Sequence, residues 1–387
     1  MEAEKKHALL SPSAAKRWLH CTPSAVAEAA VPDETSVFAR EGSLAHAFCA
    51  RELLRRLGRD ESDAQAEIDE LIKDFVIEAQ EMKGHADDYA DTVMNIYAEE
   101  CKEGEAEIHI ETPLDLGEWT PESFGTADAV VIGPHRLTVI DFKYGRGVQV
   151  DARGNHQMRM YALGALDEFG VGRVIEEVRM MIVQPRIGNH SADWMTREEL
   201  LEWGESYLRP LAGVAARGLG VREAGSWCKF CRVAATCRTL DHHAALAATI
   251  DPDRQDARSL GEVCLPMIGP LEQWIESVRS KALSCLLAGE TVPGYKMVRK
   301  RGQRKFTDMD SALARLREAG YEDAQILKDP ALKGLTDLEK LVGKKKFGEM
   351  MDGLLIKTEG EPTVAESTDR RKEMTPAACF DGIEIDV

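Results

Sequence analysis

Two aspartates and a lysine border apolar runs that the sequence predicts as buried strands. Asp128 precedes the run 129–132, Asp141 follows the run 137–140, and Lys143 comes two residues later. Because side chains alternate faces along a strand, Asp141 and Lys143 share one face. Carboxylates at strand ends beside a cation are typical of sites that bind a divalent metal and act on a phosphate. The alternative interpretation is an Asp-x-Lys triplet on a solvated strand edge.

The turn between these runs sets how the two aspartates meet. Gly133-Pro134-His135-Arg136 predicts a hairpin, because proline is favoured at the second position of a type I turn. Folding about the Pro134–His135 peptide places Asp128 opposite Asp141, where like charges roughly 5 Å apart are destabilising. We therefore expect a compensating Mg²⁺ or Mn²⁺, with Lys143 as a point charge that holds a phosphate or helps to deprotonate water.

Two predicted helices can bring further polar side chains to the aspartate pair. His46 lies five residues into a helix expected to begin at Glu41 and can add a nitrogen ligand, although an ordinary helix histidine is the alternative. Gln157 and Tyr161 are four residues apart in a helix over 156–169, so they share a face. Substrate contact and plain amphipathic packing both explain this last pair.

The ordered set Gly42-x3-His46, Gly125-x2-Asp128, Asp141-x-Lys143 and Gln157-x3-Tyr161 resembles the PD-(D/E)XK nuclease superfamily, and more narrowly its RecB-like exonuclease branch. The resemblance covers about residues 10 to 240. It implies a restriction-endonuclease-like mixed sheet flanked by helices. It also implies that His46, Asp128, Asp141 and the carbonyl of Phe142 ligate Mg²⁺ or Mn²⁺. Lys143 would position or activate the attacking water, and Gln157 and Tyr161 would help to hold the nucleic acid.

Three of the nine cysteines are crowded together as Cys228, Cys231 and Cys237. The C-x2-C-x5-C spacing in a large chain favours metal binding in a reducing compartment over a disulfide framework. Three thiolates need a fourth ligand for tetrahedral zinc or a four-iron cluster. The residues alone leave two candidates open: His242 or His243 nearby, or the distant Cys21.

The resemblance favours Cys21. In the iron-sulfur subgroup of these nucleases, which includes CRISPR-associated exonucleases and AddB-type subunits, one cysteine precedes the nuclease motifs and three follow them in this spacing. It implies a [4Fe-4S] cluster on Cys21, Cys228, Cys231 and Cys237 that staples the two ends of the nuclease domain. Structural Zn²⁺ is the alternative cofactor, and unliganded thiols are a third interpretation.

Charge is distributed unevenly along the 387 residues. With 49 Lys+Arg against 67 Asp+Glu the net charge is −18, and the segment 60–122 accounts for all of it with 21 acidic and three basic residues. The helical periodicity of this segment predicts solvated helices around a narrow apolar stripe; DNA mimicry or exclusion of wrong substrates is the alternative. A net negative charge alone therefore does not exclude a nucleic-acid partner.

The remaining pattern predicts an α/β protein in two parts with a tail. Residues 1–250 form the nuclease-like domain, 251–357 a smaller and mostly helical region, and 358–387 a flexible tail. Strands are expected from Glu105 onward, over 126–132, 137–142 and 177–184, followed by a Trp-containing helical stretch to about Ala216 and a helix over 265–289. No G-x4-GK-[ST] phosphate loop occurs, which argues against an ATP-driven motor.

Six basic residues stand within 296–305, and Lys344 to Lys346 add a smaller basic spot. Such a run contacts phosphates without reading sequence; a solvated basic strand is the alternative. Similar C-terminal extensions occur in a phage and prophage family of uncharacterised proteins with the same nuclease motifs. That resemblance implies a viral or mobile-element origin and leaves the role of residues 260–387 open.

Together these observations predict a metal-dependent DNA exonuclease, with single-stranded ends as the substrate that the family implies. The setting would be phage DNA recombination, repair or replication, with a recombination or single-strand-binding protein as a partner. The alternatives are a non-catalytic DNA-binding or scaffolding subunit and a structure-specific endonuclease. The sequence contains neither an apolar run of membrane-spanning length nor a signal peptide, so we expect a cytoplasmic protein that does not bind membranes.

Overall fold

The computed structural model describes residues 8–31, 37–75, 78–145, 148–247, 249–250 and 256–295. The chain divides into two units, Met1–Gly302 and Gln303–Val387, and all described residues lie in the first. The predicted basic segment after Tyr295, the helices expected near 308–319 and 337–355 and the tail after 357 lie outside them.

A five-stranded mixed sheet forms the centre of the first unit. Its strands lie side by side in chain order: β1 (Glu107–Asp115), β2 (Phe124–Ile132), β3 (Arg136–Phe142), β4 (Glu177–Gln184) and β5 (Asn189–Thr196). Neighbouring strands are antiparallel except for β3 and β4, which are parallel. A parallel pair needs a long crossover, and helix α6 lies in the connection between β3 and β4.

Helices make up most of the described chain. They are α1 (Ala15–His20), α2 (Ser24–Ala29), α3 (Val37–Arg56), α4 (Ser62–Leu71), α5 (Ala79–Glu103), α6 (His156–Phe169), α7 (Arg197–Trp203), α8 (Arg209–Ala215), α9 (Arg238–Ala247), α10 (Ala257–Ser259) and α11 (Leu265–Leu287). Within these residues no helix is both long enough and apolar enough to cross a bilayer.

The sheet separates two apolar cores. One face packs against α6, α1, α7 and α8, with Val130, Val139 and Met180 fully buried beneath these helices. The other face packs against α3 and α5 through Val131, Ile140 and neighbouring residues. Alternate residues of β2 and β3 therefore serve opposite cores, which explains why both runs read as almost continuously apolar.

The predicted fold class is confirmed at the level of an α/β protein with a mixed sheet flanked by helices. The bounds predicted for α6 and β4 agree with the structure, and β2 and β3 begin only one or two residues earlier than expected. The hairpin register is also confirmed, because Ala129 pairs with Ile140 and the Gly133 N–H donates to the Arg136 carbonyl at 2.8 Å.

One element was predicted wrongly. We expected a helical stretch directly after the strand ending at Gln184, but β5 occupies Asn189–Thr196 and the helix begins only at Arg197. This strand lies at the sheet edge, alternates between half-buried and exposed residues and is rich in polar side chains. Its pairing with β4, a tertiary contact, stabilises it where strand propensity does not.

Candidate functional site

The β2–β3 hairpin places Asp128 and Asp141 side by side, as the turn predicted. Oδ2 of Asp128 accepts a 2.6 Å hydrogen bond from the backbone N–H of Phe142, so the carboxylate on β2 is fixed against β3 one residue beyond Asp141. Asp141 is almost fully buried, with 3% of its surface exposed. Two carboxylates with little access to water thus lie at the same end of the hairpin.

Helix α3 brings His46 to this pair. Its Nδ1 lies 3.2 Å from Oδ1 of Asp128, and its ring meets that of Phe142 edge to face at 5.4 Å between centroids. Burial favours the neutral imidazole, but the charge and hydrogen bond of Asp128 outweigh it and raise the pKa of His46 to about 9. His46 in turn contributes to holding the pKa of Asp128 below its usual value, against the effect of burial.

Glu111 on β1 also lies in the site, and it was not among the residues predicted from the sequence. Its backbone has φ +45°, between the paired positions Ile110–Ala129 and Thr112–Ala127, so the regular alternation of β1 is interrupted there. One ligand atom from each of His46, Glu111 and Asp128 lies within 4.8 Å of the others. The displacement of water around the carboxyl group and the Asp128 charge raise the pKa of Glu111 to about 8, although the residue as a whole is exposed.

Lys143 and Gln157 complete the surroundings of Asp141. Lys143 Nζ lies 3.0 Å from Oδ1 and 2.8 Å from Oδ2 of Asp141, and Gln157 Nε2 donates to Oδ1 at 3.2 Å. Burial raises the pKa of Asp141, and Asp128 adds to that rise while Lys143 opposes it. Burial would favour a neutral Lys143, but the two aspartates outweigh it and raise its pKa.

Tyr161 lies one helical turn after Gln157, and the two side chains are 3.4 Å apart. A Cβ at Gly125 would lie 2.7 Å from the Tyr161 ring, so only glycine fits where β2 passes this helix. This explains the glycine three residues before Asp128. The structure therefore links the predicted site residues through contacts: His46 with Asp128, Asp128 with the Phe142 backbone, Asp141 with Lys143 and Gln157, and Gln157 with Tyr161.

A groove of about 660 Å³ opens beside this cluster, between α3, α4 and β1. His46 and Glu111 form part of its wall, next to small residues of α3. Asp60, Asp63 and Glu67 give the rest of the groove a negative charge, so the acidic segment of the sequence lies directly beside the candidate site.

The donor set fits a hard divalent cation. Carboxylate oxygens are the preferred ligands of Mg²⁺ and Mn²⁺, and an imidazole nitrogen suits Mn²⁺. His46, Glu111 and Asp128 supply three donors, from α3, β1 and β2 respectively. Burial and the neighbouring Asp128 raise the pKa values of Glu111 and Asp141, and a bound cation would oppose both effects.

Cys21 lies close enough to Cys228 for their charges to interact, although the two residues are 207 positions apart in the chain. Cys21 ends α1, while Cys228, Cys231 and Cys237 lie in or directly after two short 3-10 helices, Ser226–Phe230 and Ala234–Thr236. Burial raises the pKa of the Cys228 thiol, and the nearby Cys21 and Cys237 add to that rise. Burial and Glu28 raise the pKa of Cys231 to about 12. Cys21, Cys231 and Cys237 therefore all lie near Cys228.

Protein contacts join the same two segments. Glu28 on α2 accepts hydrogen bonds from Arg17 Nε at 2.6 Å and from the Arg232 backbone N–H at 2.7 Å. Thr22 Oγ1 donates to the carbonyl of Leu219 at 2.6 Å. These hydrogen bonds thus fix the N-terminal helices to the segment that leads into the cysteines.

The fold and site define an α/β protein whose central hairpin carries a candidate metal site. The chain belongs to the family described as "Protein of unknown function (DUF2800)", whose model matches residues 7–372. A solved structure titled "Crystal structure of SSO0001" aligns with 58% of this chain and 96% of its own, at 14% identity and a TM-score of 0.25. At that level of similarity it carries no argument about fold or function.

Proposed function

We propose that this protein is a metal-dependent DNA exonuclease of the RecB-like PD-(D/E)XK type. The observation that carries the proposal is the convergence of His46, Glu111 and Asp128 within 4.8 Å, directly beside an Asp141 carboxylate that contacts Lys143. The order and spacing of His46, Asp128, Asp141 and Lys143 in the sequence resemble the motifs of that nuclease class.

Each side chain has a role that its position supports. Asp128 and Glu111, with His46, would hold Mg²⁺ or Mn²⁺. The resemblance adds Asp141 and the carbonyl of Phe142 to these ligands. Such a cation polarises a phosphodiester and lowers the pKa of bound water. Lys143, fixed by Asp141, presents a positive charge that stabilises the extra negative charge of the phosphodiester transition state. Gln157, hydrogen-bonded to Asp141, orients that carboxylate, and Tyr161 supports Gln157.

For the cysteines we propose a [4Fe-4S] cluster on Cys21, Cys228, Cys231 and Cys237, with structural Zn²⁺ as the alternative. The proximity of Cys21, Cys231 and Cys237 to Cys228 supports either cofactor. Its role would be structural, because it lies at the junction of α1 with the cysteine segment and cross-links residues far apart in the chain.

The experiment that tests the proposal is digestion of end-labelled DNA, single- and double-stranded, with Mg²⁺ or Mn²⁺. Wild-type protein is compared with Asp141→Asn, which keeps the size of the side chain, and with Asp87→Asn, which changes an exposed carboxylate on α5. We expect metal-dependent release of label by the wild type and by Asp87→Asn, and none by Asp141→Asn. Closed circular DNA added to the series distinguishes an exonuclease from an endonuclease.

Absence of cleavage from correctly folded wild-type protein, on every substrate and with both metals, would overturn the proposed activity. Equal cleavage by wild type and Asp141→Asn would assign it to another site or to a contaminant.

A further inference from the structure

Five aromatic side chains form a continuous tract beside the candidate site. We call them the aromatic tract: His20, His156, Trp203, Tyr207 and Trp227. Trp227 stacks on His20 with centroids 4.1 Å apart, and His20 approaches His156 at 6.1 Å. His156 lies in nearly parallel planes with Trp203 at 5.9 Å and close to Tyr207 at 5.8 Å. The rings come from α1, α6, α7, the π-helical turn Gly204–Leu208 and the 3-10 helix Ser226–Phe230.

These rings are neither core residues nor isolated surface side chains. All five are half-buried, so each is supported by protein and still keeps accessible surface. A buried core would hide them, and scattered exposed rings would not contact one another. A supported row of partly accessible rings offers flat apolar surface at the edge of the protein.

Positive charge accompanies the tract. The guanidinium of Arg159 lies over the Trp203 ring at 5.5 Å, and the exposed Lys16 lies one helical turn before His20 on α1. Two carboxylates are also near: Asp193 Oδ2 lies 3.8 Å from Arg159 Nη2, and Glu223 is close enough to His20 for their charges to interact. Rings flanked by two cations suit a ligand that combines flat faces with negative charge.

The tract leads to the candidate catalytic residues. His156 begins α6 and is directly followed by Gln157, whose amide donates to Asp141 Oδ1 at 3.2 Å. Its other end lies at the cysteine segment, because Trp227 precedes Cys228 and His20 precedes Cys21. One end of the tract is thus one residue away in the chain from a side chain that contacts Asp141.

We propose that the aromatic tract binds the unpaired bases of a single-stranded DNA segment beside the candidate active site, an inference that rests on the proposed nuclease function. Aromatic side chains bind bases of any sequence by stacking, and basic side chains hold the phosphates between them. In a duplex the base faces are covered by neighbouring pairs, so the tract selects an unpaired strand.

Binding to two matched ligands tests this. The ligands are a labelled thymidine oligonucleotide of about ten residues, within the usual site size of such surfaces, and an abasic oligonucleotide with the same number of phosphates. Full-length Asp141→Asn protein is used without added divalent metal, so that cleavage does not interfere. We expect this protein to prefer the thymidine strand by about tenfold or more, because one stacked base contributes about 1–3 kcal/mol.

Trp203→Leu and Tyr207→Leu, each in this background, should lower that preference about tenfold while leaving abasic binding unchanged. Trp203→Phe keeps a flat ring and should retain most of the preference. Trp194→Leu is the matched control: this Trp is 49% exposed and contacts two arginines, but it lies on the other face of the sheet, so its loss should change neither affinity.

An unchanged preference in Trp203→Leu and Tyr207→Leu, or an equal loss of both affinities, would overturn the inference. Tighter binding of a blunt duplex than of the thymidine strand would overturn it as well. The outcome is independent of catalysis: a base preference without cleavage removes the proposed activity alone, and cleavage without a base preference removes this inference alone.

Discussion

The backbone N–H of Phe142 donates to Oδ2 of Asp128 at 2.6 Å, across the two central strands of the sheet. The bond uses one oxygen of the carboxylate and leaves Oδ1 facing His46. Asp128 therefore has two separable functions. One oxygen accepts a hydrogen bond that joins β2 to β3, and the other belongs to the candidate metal site.

Replacing Asp128 separates these functions. Asp128→Asn keeps an acceptor for the Phe142 N–H and loses the charge, whereas Asp128→Ala loses both. We expect both variants to bind Mn²⁺ at least about tenfold more weakly, the Ala variant also being about 1–3 kcal/mol less stable than the Asn variant because a buried N–H is left without its partner. Isothermal titration and urea unfolding measure the two effects. Equal stability of the two variants would contradict the assigned role of Oδ2.

Glu111 is the donor that β1 contributes to the candidate metal site. Glu111→Gln removes one of three donors within 4.8 Å and keeps the side chain's size. We expect Mn²⁺ affinity to fall about 10- to 100-fold with little change in unfolding free energy in the absence of metal. Glu99→Gln, on α5 and outside this donor set, is the control. Unchanged Mn²⁺ affinity in Glu111→Gln would remove Glu111 from the metal site.

Glu111 also shows where sequence reasoning reached its limit. The β2–β3 register was predictable, since a two-residue turn fixes which residues face each other. The β1–β2 connection is longer, and the left-handed backbone at Glu111 breaks the alternation that would assign its face. Strand β5 was missed for a related reason, because its polar residues form a strand only through pairing with β4. The convergence of Cys21 with Cys228 came from family resemblance, as nothing local links segments 207 residues apart.

The cysteine set makes a spectroscopic prediction. Cys21→Ser should remove the visible absorption of anaerobically purified protein and most of its iron, because a four-iron cluster needs four thiolates. Cys264→Ser, at a partly buried cysteine outside the set, should leave both unchanged. Stoichiometric zinc without visible absorption in the wild type would establish the zinc alternative. An unchanged spectrum in Cys21→Ser would place the fourth ligand elsewhere.

Replacing Glu28 tests whether hydrogen bonds and ion pairs hold the two ends of the domain together. It is 5% exposed and accepts from both Arg17 and the Arg232 backbone. Glu28→Gln leaves Arg17 without a counter-charge, so we expect a loss of about 3 kcal/mol in urea unfolding. The exposed pair Glu276–Arg279 provides the control, since Glu276→Gln should change stability by no more than about 0.5 kcal/mol. Similar small losses in both variants would show that the Glu28 contacts contribute little.

The lowered pKa of His156 predicts that the stability of the folded state depends on pH. Burial, with the charges of His20, Arg159 and Lys16, lowers the pKa of His156 from 6.5 to about 4. The unfolded chain therefore takes up the proton first as the pH falls, so the folded state loses stability between about pH 6.5 and 4 and loses none from this group above pH 6.5. Because the ring is partly exposed, we expect a loss of about 2 kcal/mol, below the roughly 3 kcal/mol of a fully buried group.

Urea unfolding of wild type and His156→Phe at several pH values between 4 and 7.5 measures this slope. His156→Phe keeps a flat neutral ring beside Trp203 and Tyr207, so its stability should fall less steeply over the same range. Lys16→Gln removes one of the charges that disfavour protonation and should reduce the slope only in part. If wild type and His156→Phe lose stability in parallel down to pH 4, the imidazole is not the group responsible, and protonation elsewhere controls the acid stability of the domain.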